Sequence, residues 1–163
     1  MTSLIFEGVF EKFPALRVVF AEGGFSWIPP LLWRLDHLWT QLRAEIPLVK
    51  RRPSEYVRDH VRFTSQPIEE PSDPRHLRRV LEWVDAAHLL MFSTDYPHWD
   101  FDDPTRVARQ FPVEMRERVL RDNALDYRQY PVRLMVRALS SLQTTHPRPR
   151  SPYHHVGAIS HRA

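Results

Sequence analysis

Phe92-Ser93-Thr94-Asp95-Tyr96-Pro97-His98-Trp99-Asp100-Phe101-Asp102-Asp103 is the densest run of chemistry-bearing residues in the chain. It continues an apolar stretch, Leu89 to Ser93, that reads as a short buried strand. A carboxylate where a strand ends is held on rigid scaffold and faces whatever lies beyond the strand, so Asp95 suits a metal ligand or a proton-transfer group. His98, three residues on, can add a ligand, a proton donor or an anchor for a substrate carboxylate. The structural alternative makes Asp95 a loop cap, gives His98 a backbone bond, and assigns Asp100, Asp102 and Asp103 to capping the next helix. No glycine stands at the turn position of a calcium loop, which excludes an EF-hand.

Glu22 is the second candidate. It ends another apolar run, Leu16 to Ala21, and is followed by Gly23-Gly24 and the aromatic-rich Phe25-Ser26-Trp27. The glycines permit a sharp turn and close backbone approach. A carboxylate there can face Asp95 as a metal ligand, a base or a hydrogen-bond partner. Its structural alternatives are a salt bridge with Arg34 or an N-cap role. Trp27, near the turn, is a candidate pocket residue, whereas Trp33 is expected in the core. His37, His60, His76 and His88 have no partner spacing and read as solvated or core residues.

The elements that must position these groups follow from periodicity. Three short strands, Leu16 to Ala21, Val61 to Thr64 and Leu89 to Ser93, each run into polar residues. Helical spacing marks Trp27 to Glu45, the segment after Ser54, Pro74 to Val84, Pro104 to Gln110 and Val113 to Tyr127, and Ser3 to Lys12 reads as an amphipathic helix before the first strand. Strand and helix alternate three times, which predicts an α/β fold with a parallel sheet. Ligands of such sheets lie beyond the carboxyl ends of the strands, where Glu22, then Thr64 to Gln66, then Asp95 and His98 fall.

Composition narrows the classes. With 42% hydrophobic and 26% charged residues over 163 positions the chain can build one core, and its apolar runs are too short to cross a bilayer. Cysteine is absent, so any metal must be held by His, Asp or Glu, and a cytoplasmic location is the expectation. The net charge of +3 hides an asymmetry: six arginines and no acidic residue follow Asp126, leaving 17 basic against 20 acidic residues before it. That acidic body disfavours a nucleic-acid-binding fold, and no membrane partner is expected. Residues 1–138 form the expected domain. The Pro- and Arg-rich stretch 139–163 is expected to be a disordered basic tail.

Four segments together resemble a known family: Phe13-Pro14-Ala15-Leu16-Arg17-Val18-Val19-Phe20-Ala21-Glu22-Gly23-Gly24; Trp27-Ile28-Pro29-Pro30 with Trp33-Arg34-Leu35-Asp36; Phe63-Thr64-Ser65-Gln66-Pro67; and the stretch from Phe92 to Asp100. They are similar, in order, to the C-terminal half of amidohydrolase-related metal-dependent hydrolases, in the branch of the aminocarboxymuconate-semialdehyde decarboxylase-like enzymes. The resemblance implies strands six to eight of a TIM-like (β/α)8 barrel and a divalent metal, zinc or manganese. It also implies that Asp95 is a metal ligand. In the complete enzyme Asp95 is expected to be catalytic, with Glu22 and His98 as further catalytic residues and Trp27 and Gln66 as substrate contacts. Glu22 stands where the decarboxylases of this branch carry a proton-transfer histidine, a departure that separates the chain from their pattern.

The expectation that follows is a C-terminal fragment of a metal-dependent hydrolase or carboxy-lyase acting on a small carboxylic or amide-type substrate. Without the family's N-terminal metal histidines it is expected to be inactive alone and not to bind metal stably, since a catalytic zinc has three protein ligands. Its first strand is expected to show an open edge. The rival reading is a non-catalytic half-barrel module that pairs, as a homo-oligomer or with a complementary half, through that edge.

Overall fold

The computed structural model describes residues 1–128 and 135–137; the expected tail, 139–163, and its boundary lie outside the described residues. The chain opens with α1 (Thr2–Phe6) and α2 (Val9–Lys12), followed by β1 (Val18–Ala21), α3 (Ile28–Leu42), α4 (Pro53–His60) and β2 (Val61–Thr64). Then come α5 (Pro74–Trp83), α6 (Ala86–Leu89), β3 (Leu90–Met91), α7 (Pro104–Gln110) and α8 (Val113–Glu117). A π-helical turn, Arg118–Asp122, joins α8 to α9 (Asn123–Arg128), and β4 (Met135–Arg137) follows.

All described strand pairs are parallel, in the order β3-β2-β1-β4. Val18 stands beside Val61, Phe20 beside Phe63, and Phe63 beside Leu90. Because side chains alternate between faces with period two, Val18, Phe20, Val61, Phe63 and Leu90 share one face. That face packs into a single core with Phe25, Ile28, Tyr56, Val57, Leu77, Leu81, Val107 and Val119 from the surrounding helices and turns. The opposite face carries Val19, Arg62, Thr64 and Met91, and all but Val19 stay partly exposed. The α/β class with parallel strands therefore holds.

Local chemistry sets the element ends. Asp73 caps α5 by accepting from the Arg75 N–H at 2.9 Å, with Pro74 at the first helical position, where its missing N–H costs nothing. Asp103 caps α7 in the same way through Arg106 N–H, which confirms its capping alternative. Asn123 ties the last helices to β3 by donating to Leu90 O at 2.7 Å, and Phe92 N–H reaches Val119 O at 2.9 Å. The segment leading to Asp95 is thus anchored from below.

Four departures from sequence expectation have physical causes. The helix expected over Ser3 to Lys12 breaks at Gly8, which is left-handed (φ 65°) and where a Cβ would come within 2.9 Å of Leu48 Cβ. The third strand is only Leu90–Met91, because Leu89 closes α6. Trp33 is not core: it is 57% exposed, since the buried stripe of α3 runs through Ile28, Pro29 and Leu35, and its ring meets Trp83 edge-to-face at 5.8 Å. Finally, β1 does not show an open edge. β4 pairs with it, Val19 beside Met135 and Ala21 beside Arg137, satisfying backbone groups that would otherwise be free.

Candidate functional site

Each of β1, β2 and β3 delivers polar residues at its carboxyl end. Glu22 follows β1 directly and takes the left-handed conformation at φ 58°, as does Asp95 in the loop after β3. Asp85 shares that conformation at the opposite end of the fold, so the backbone alone does not mark the site. What distinguishes Glu22 and Asp95 is that both line one cleft of about 410 Å³, with Gln66, Pro67, His98, Trp99 and Asp100.

The cleft walls are tied together by hydrogen bonds between loops. Glu22 N–H donates to Thr64 Oγ1 at 3.0 Å, joining the β1 and β2 ends. Ser93 N–H donates to Ser65 Oγ at 3.2 Å, joining β2 to β3. Asp102 Oδ2 accepts from Ile68 N–H at 3.0 Å, and burial holds the Asp102 carboxyl above the usual carboxylate range. Asp102 is therefore a brace between loops and not a helix cap. Glu69 Oε1 accepts from Phe25 N–H and Ser26 N–H, at 3.0 and 2.7 Å, and fixes the turn after Glu22. Gly24 is required there: its φ is 62°, and a Cβ would meet Glu69 Oε1 at 3.1 Å.

Asp95 and His98 form the tightest contact in the cleft. His98 Nδ1 lies 2.7 Å from Asp95 Oδ2. An ionised carboxylate only accepts, so Nδ1 carries the proton and donates, which leaves Nε2 for another partner. The hydrogen bond to Asp95, reinforced by the charges of Asp95, Glu22 and Asp100, holds the His98 imidazole above its ordinary pKa. Glu22 makes no ion pair among the described residues, so neither it nor its expected alternative partner Arg34 supplies a structural bridge at this position.

Gln66 is 2% exposed, and its Oε1 has no hydrogen-bond partner among the described residues. A buried acceptor left unmet costs free energy unless a ligand or water meets it, so an orphan at a cleft wall points into binding chemistry. Trp27 is placed differently from Gln66. Its Nε1–H donates to Gly23 O at 2.9 Å and its ring packs edge-to-face on Phe63, so it braces the Glu22 turn and is not among the cleft-lining residues. Trp99 and Asp100, in contrast, do line the cleft. Their position in the run after Asp95 was the only sequence signal for that.

Donor chemistry in the cleft suits a divalent cation in part. Three carboxylates and an imidazole line it, but among the described residues no group of three His, Cys, Asp or Glu side chains converges closely enough to hold a metal. Asp95 can supply one ligand, and further ligands are needed.

The family model described as amidohydrolase matches residues 1–127. Among curated proteins nothing matches. Among solved structures, 5-carboxyvanillate decarboxylase from Sphingomonas paucimobilis is 26% identical with a TM-score of 0.60, covering 80% of this chain and 38% of its own. An amidohydrolase from Mycobacterium avium subsp. paratuberculosis K-10 is 23% identical with a TM-score of 0.60, covering 77% of this chain and 31% of its own. A dihydroxybenzoic acid decarboxylase from a Polaromonas species, solved with bound manganese and 2-nitroresorcinol, is 23% identical with a TM-score of 0.55, covering 76% of this chain and 36% of its own. The chain thus spans a little over a third of the length of the solved structures it matches, or less.

Proposed function

Because the chain belongs to the amidohydrolase family, we propose that the Glu22–Asp95 cleft forms part of the active site of a metal-dependent hydrolase or carboxy-lyase that acts on a small carboxylic or amide-type substrate. The observation that carries this reading is the meeting of Glu22, Asp95 and His98 in one cleft, from loops that follow two different strands. Convergence at the carboxyl ends of parallel strands is where such folds place their chemistry.

Asp95 has two roles in this reading. One carboxylate oxygen holds the His98 imidazole by its Nδ1–H, and the other is available to a divalent metal, zinc or manganese. That metal, when bound, supplies Lewis-acid polarisation of a substrate carbonyl or carboxylate. Remaining ligands come from outside the described residues. His98, kept protonated more readily by its acidic neighbours, presents Nε2 as a donor to a substrate carboxylate. Glu22 accepts a proton or a substrate hydroxyl. The orphaned Oε1 of Gln66 accepts an N–H or O–H from bound substrate, and Trp27 holds the turn that aims Glu22.

Hydrolysis and decarboxylation differ in what Glu22 can do. A carboxylate repels a substrate carboxylate unless it is protonated or bound to metal, so Glu22 favours hydrolysis over loss of CO₂. The test is manganese titration of the full chain, read by paramagnetic broadening of backbone NMR signals. With one described ligand the binding is weak, so signals of residues 22, 66 and 95–100 should broaden before others only at high manganese, and Asp95→Asn should abolish that preference. Broadening centred elsewhere, or unchanged by Asp95→Asn, overturns the reading.

A further inference from the structure

Between α3 and the end of α5 lies a groove of about 350 Å³ whose apolar wall is Pro29, Leu32, Trp33 and Trp83. Trp33 and Trp83 are 57% and 56% exposed, and their rings meet edge-to-face at 5.8 Å. Single exposed apolar residues are ordinary, but two indoles side by side over a groove form a contiguous patch. Neither of their Nε1–H groups has a hydrogen-bond partner among the described residues, whereas Trp27 and Trp39 each direct theirs to a backbone carbonyl.

The polar rim of this groove is acidic. Asp36, Glu55 and Asp85 stand against one guanidinium, Arg58. Two of those carboxylates are already engaged: Asp36 accepts from Ser54 N–H and Oγ–H at 2.9 and 2.6 Å, and Asp85 pairs with Arg58 at 2.7 Å. Glu55 is exposed, and its carboxylate has no ion pair or hydrogen bond among the described residues. An incoming cationic segment therefore finds one open carboxylate in the same groove as two unused indole donors. Pairing of the groove with its copy about a two-fold axis would bring like charges together, which disfavours a second copy as the occupant.

The chain itself carries a segment of matching chemistry, His146-Pro147-Arg148-Pro149-Arg150-Ser151-Pro152. We propose that this segment docks, in polyproline II conformation, in the Trp33–Trp83 groove of its own chain. Proline fixes its own φ and drives the residue before it to extended backbone, so Pro147, Pro149 and Pro152 favour that conformation. Its repeat of three residues per turn puts Pro149 and Pro152 on one ridge, which packs against the indole rings. Polyproline II leaves its carbonyls unbonded, and these accept from the Trp33 and Trp83 Nε1–H groups. Arg148 and Arg150 meet the acidic rim, where Glu55 is open. From Arg137, where β4 ends beside Ala21, the extended chain to Arg148 spans at most roughly 35–40 Å, about the diameter of a domain of this size, so the groove is within reach. Nothing in this proposal depends on the chemistry of the Glu22–Asp95 cleft.

The test is NMR of the indole N–H signals in the full chain and in a full-length variant combining Pro149→Ala with Arg148→Glu and Arg150→Glu. The Trp33 and Trp83 signals should move in the variant, while those of Trp27 and Trp39, bonded within the fold, stay in place. A synthetic peptide of residues 145–153 added to the variant should restore both signals saturably, and Glu55→Lys should weaken the peptide about threefold. Trp33→Ala, at an exposed site, is the second variant. It should move the backbone signals of Arg148, Arg150 and Ser151 in the otherwise unaltered chain. Neither the Trp33 nor the Trp83 signal of the unaltered chain should depend on protein concentration, as a contact within one chain requires. Trp33 and Trp83 signals indifferent to the segment's substitutions, peptide shifts that do not saturate, or Arg148, Arg150 and Ser151 signals indifferent to Trp33→Ala would overturn the proposal. So would concentration-dependent signals, which identify the segment of a second copy as the occupant.

Discussion

The two ends of one small sheet carry opposite electrostatics. At the carboxyl ends, Glu22, Asp95 and Asp100 surround His98 and push its pKa up. At the amino ends, burial and the guanidiniums of Arg17, Arg58 and Arg62 push His60 and His88 down. The same side chain type is thus held more readily protonated at one end and less readily at the other. What differs is the company supplied by the turns, since both ends hang from the same core.

The largest expected effect removes that shared support. Phe63 is 1% exposed, stacks on Phe20 at 5.8 Å and meets Trp27 edge-to-face at 5.9 Å. Phe63→Ala should cost about 3–5 kcal/mol in denaturant unfolding and weaken both ends together. If only one end responds, the sheet does not couple them.

A smaller change should separate the ends. Gly24→Ala places a Cβ in left-handed backbone against Glu69, and should cost about 1–2 kcal/mol. Backbone NMR shifts should move around residues 22–27 and 69, while the His60 and His88 titrations stay in place. Movement at those two histidines would show that the two ends are not independent.

Much of the carboxyl-end site could be read from residue order. Apolar runs ending at Glu22 and Asp95 say that a carboxylate follows a strand, and parallel strands put such residues on one edge. That Asp95 and His98 fall at the same edge was equally visible, but their hydrogen bond to each other was not. Asp102, by contrast, looked like a helix cap and turned out to brace Ile68 across 34 positions, because loop-to-loop contacts have no local period. Trp33 was misplaced for a related reason: a large aromatic side chain in a helical pattern reads as core, but the buried stripe of α3 runs through Ile28, Pro29 and Leu35. β4 is only three residues long, and its partner β1 is more than a hundred residues away. The cluster of His60 and His88 with Arg17 and Arg62 was invisible because each histidine, read singly, has no motif; only pairing of β1, β2 and β3 brings the arginines to them.

Opposite pKa shifts imply opposite linkage to folding. His98 is raised, so its contribution to stability is fully present below the unfolded value of about 6.5 and is lost as pH rises through its folded pKa. His60 and His88 are lowered, so the unfolded chain binds protons more readily. Their contribution is present above about 6.5 and is lost as pH falls through their folded pKa values.

A single NMR pH titration of the histidine ring signals tests the arrangement most directly, in the full chain and in Asp95→Asn. The account predicts that His98 titrates above the ordinary imidazole value and His60 and His88 below it, and that Asp95→Asn lowers His98 alone. Titration of His98 at or below the other two, or indifference of His98 to Asp95→Asn, would contradict the placement of Glu22, Asp95 and His98 in one acidic cleft.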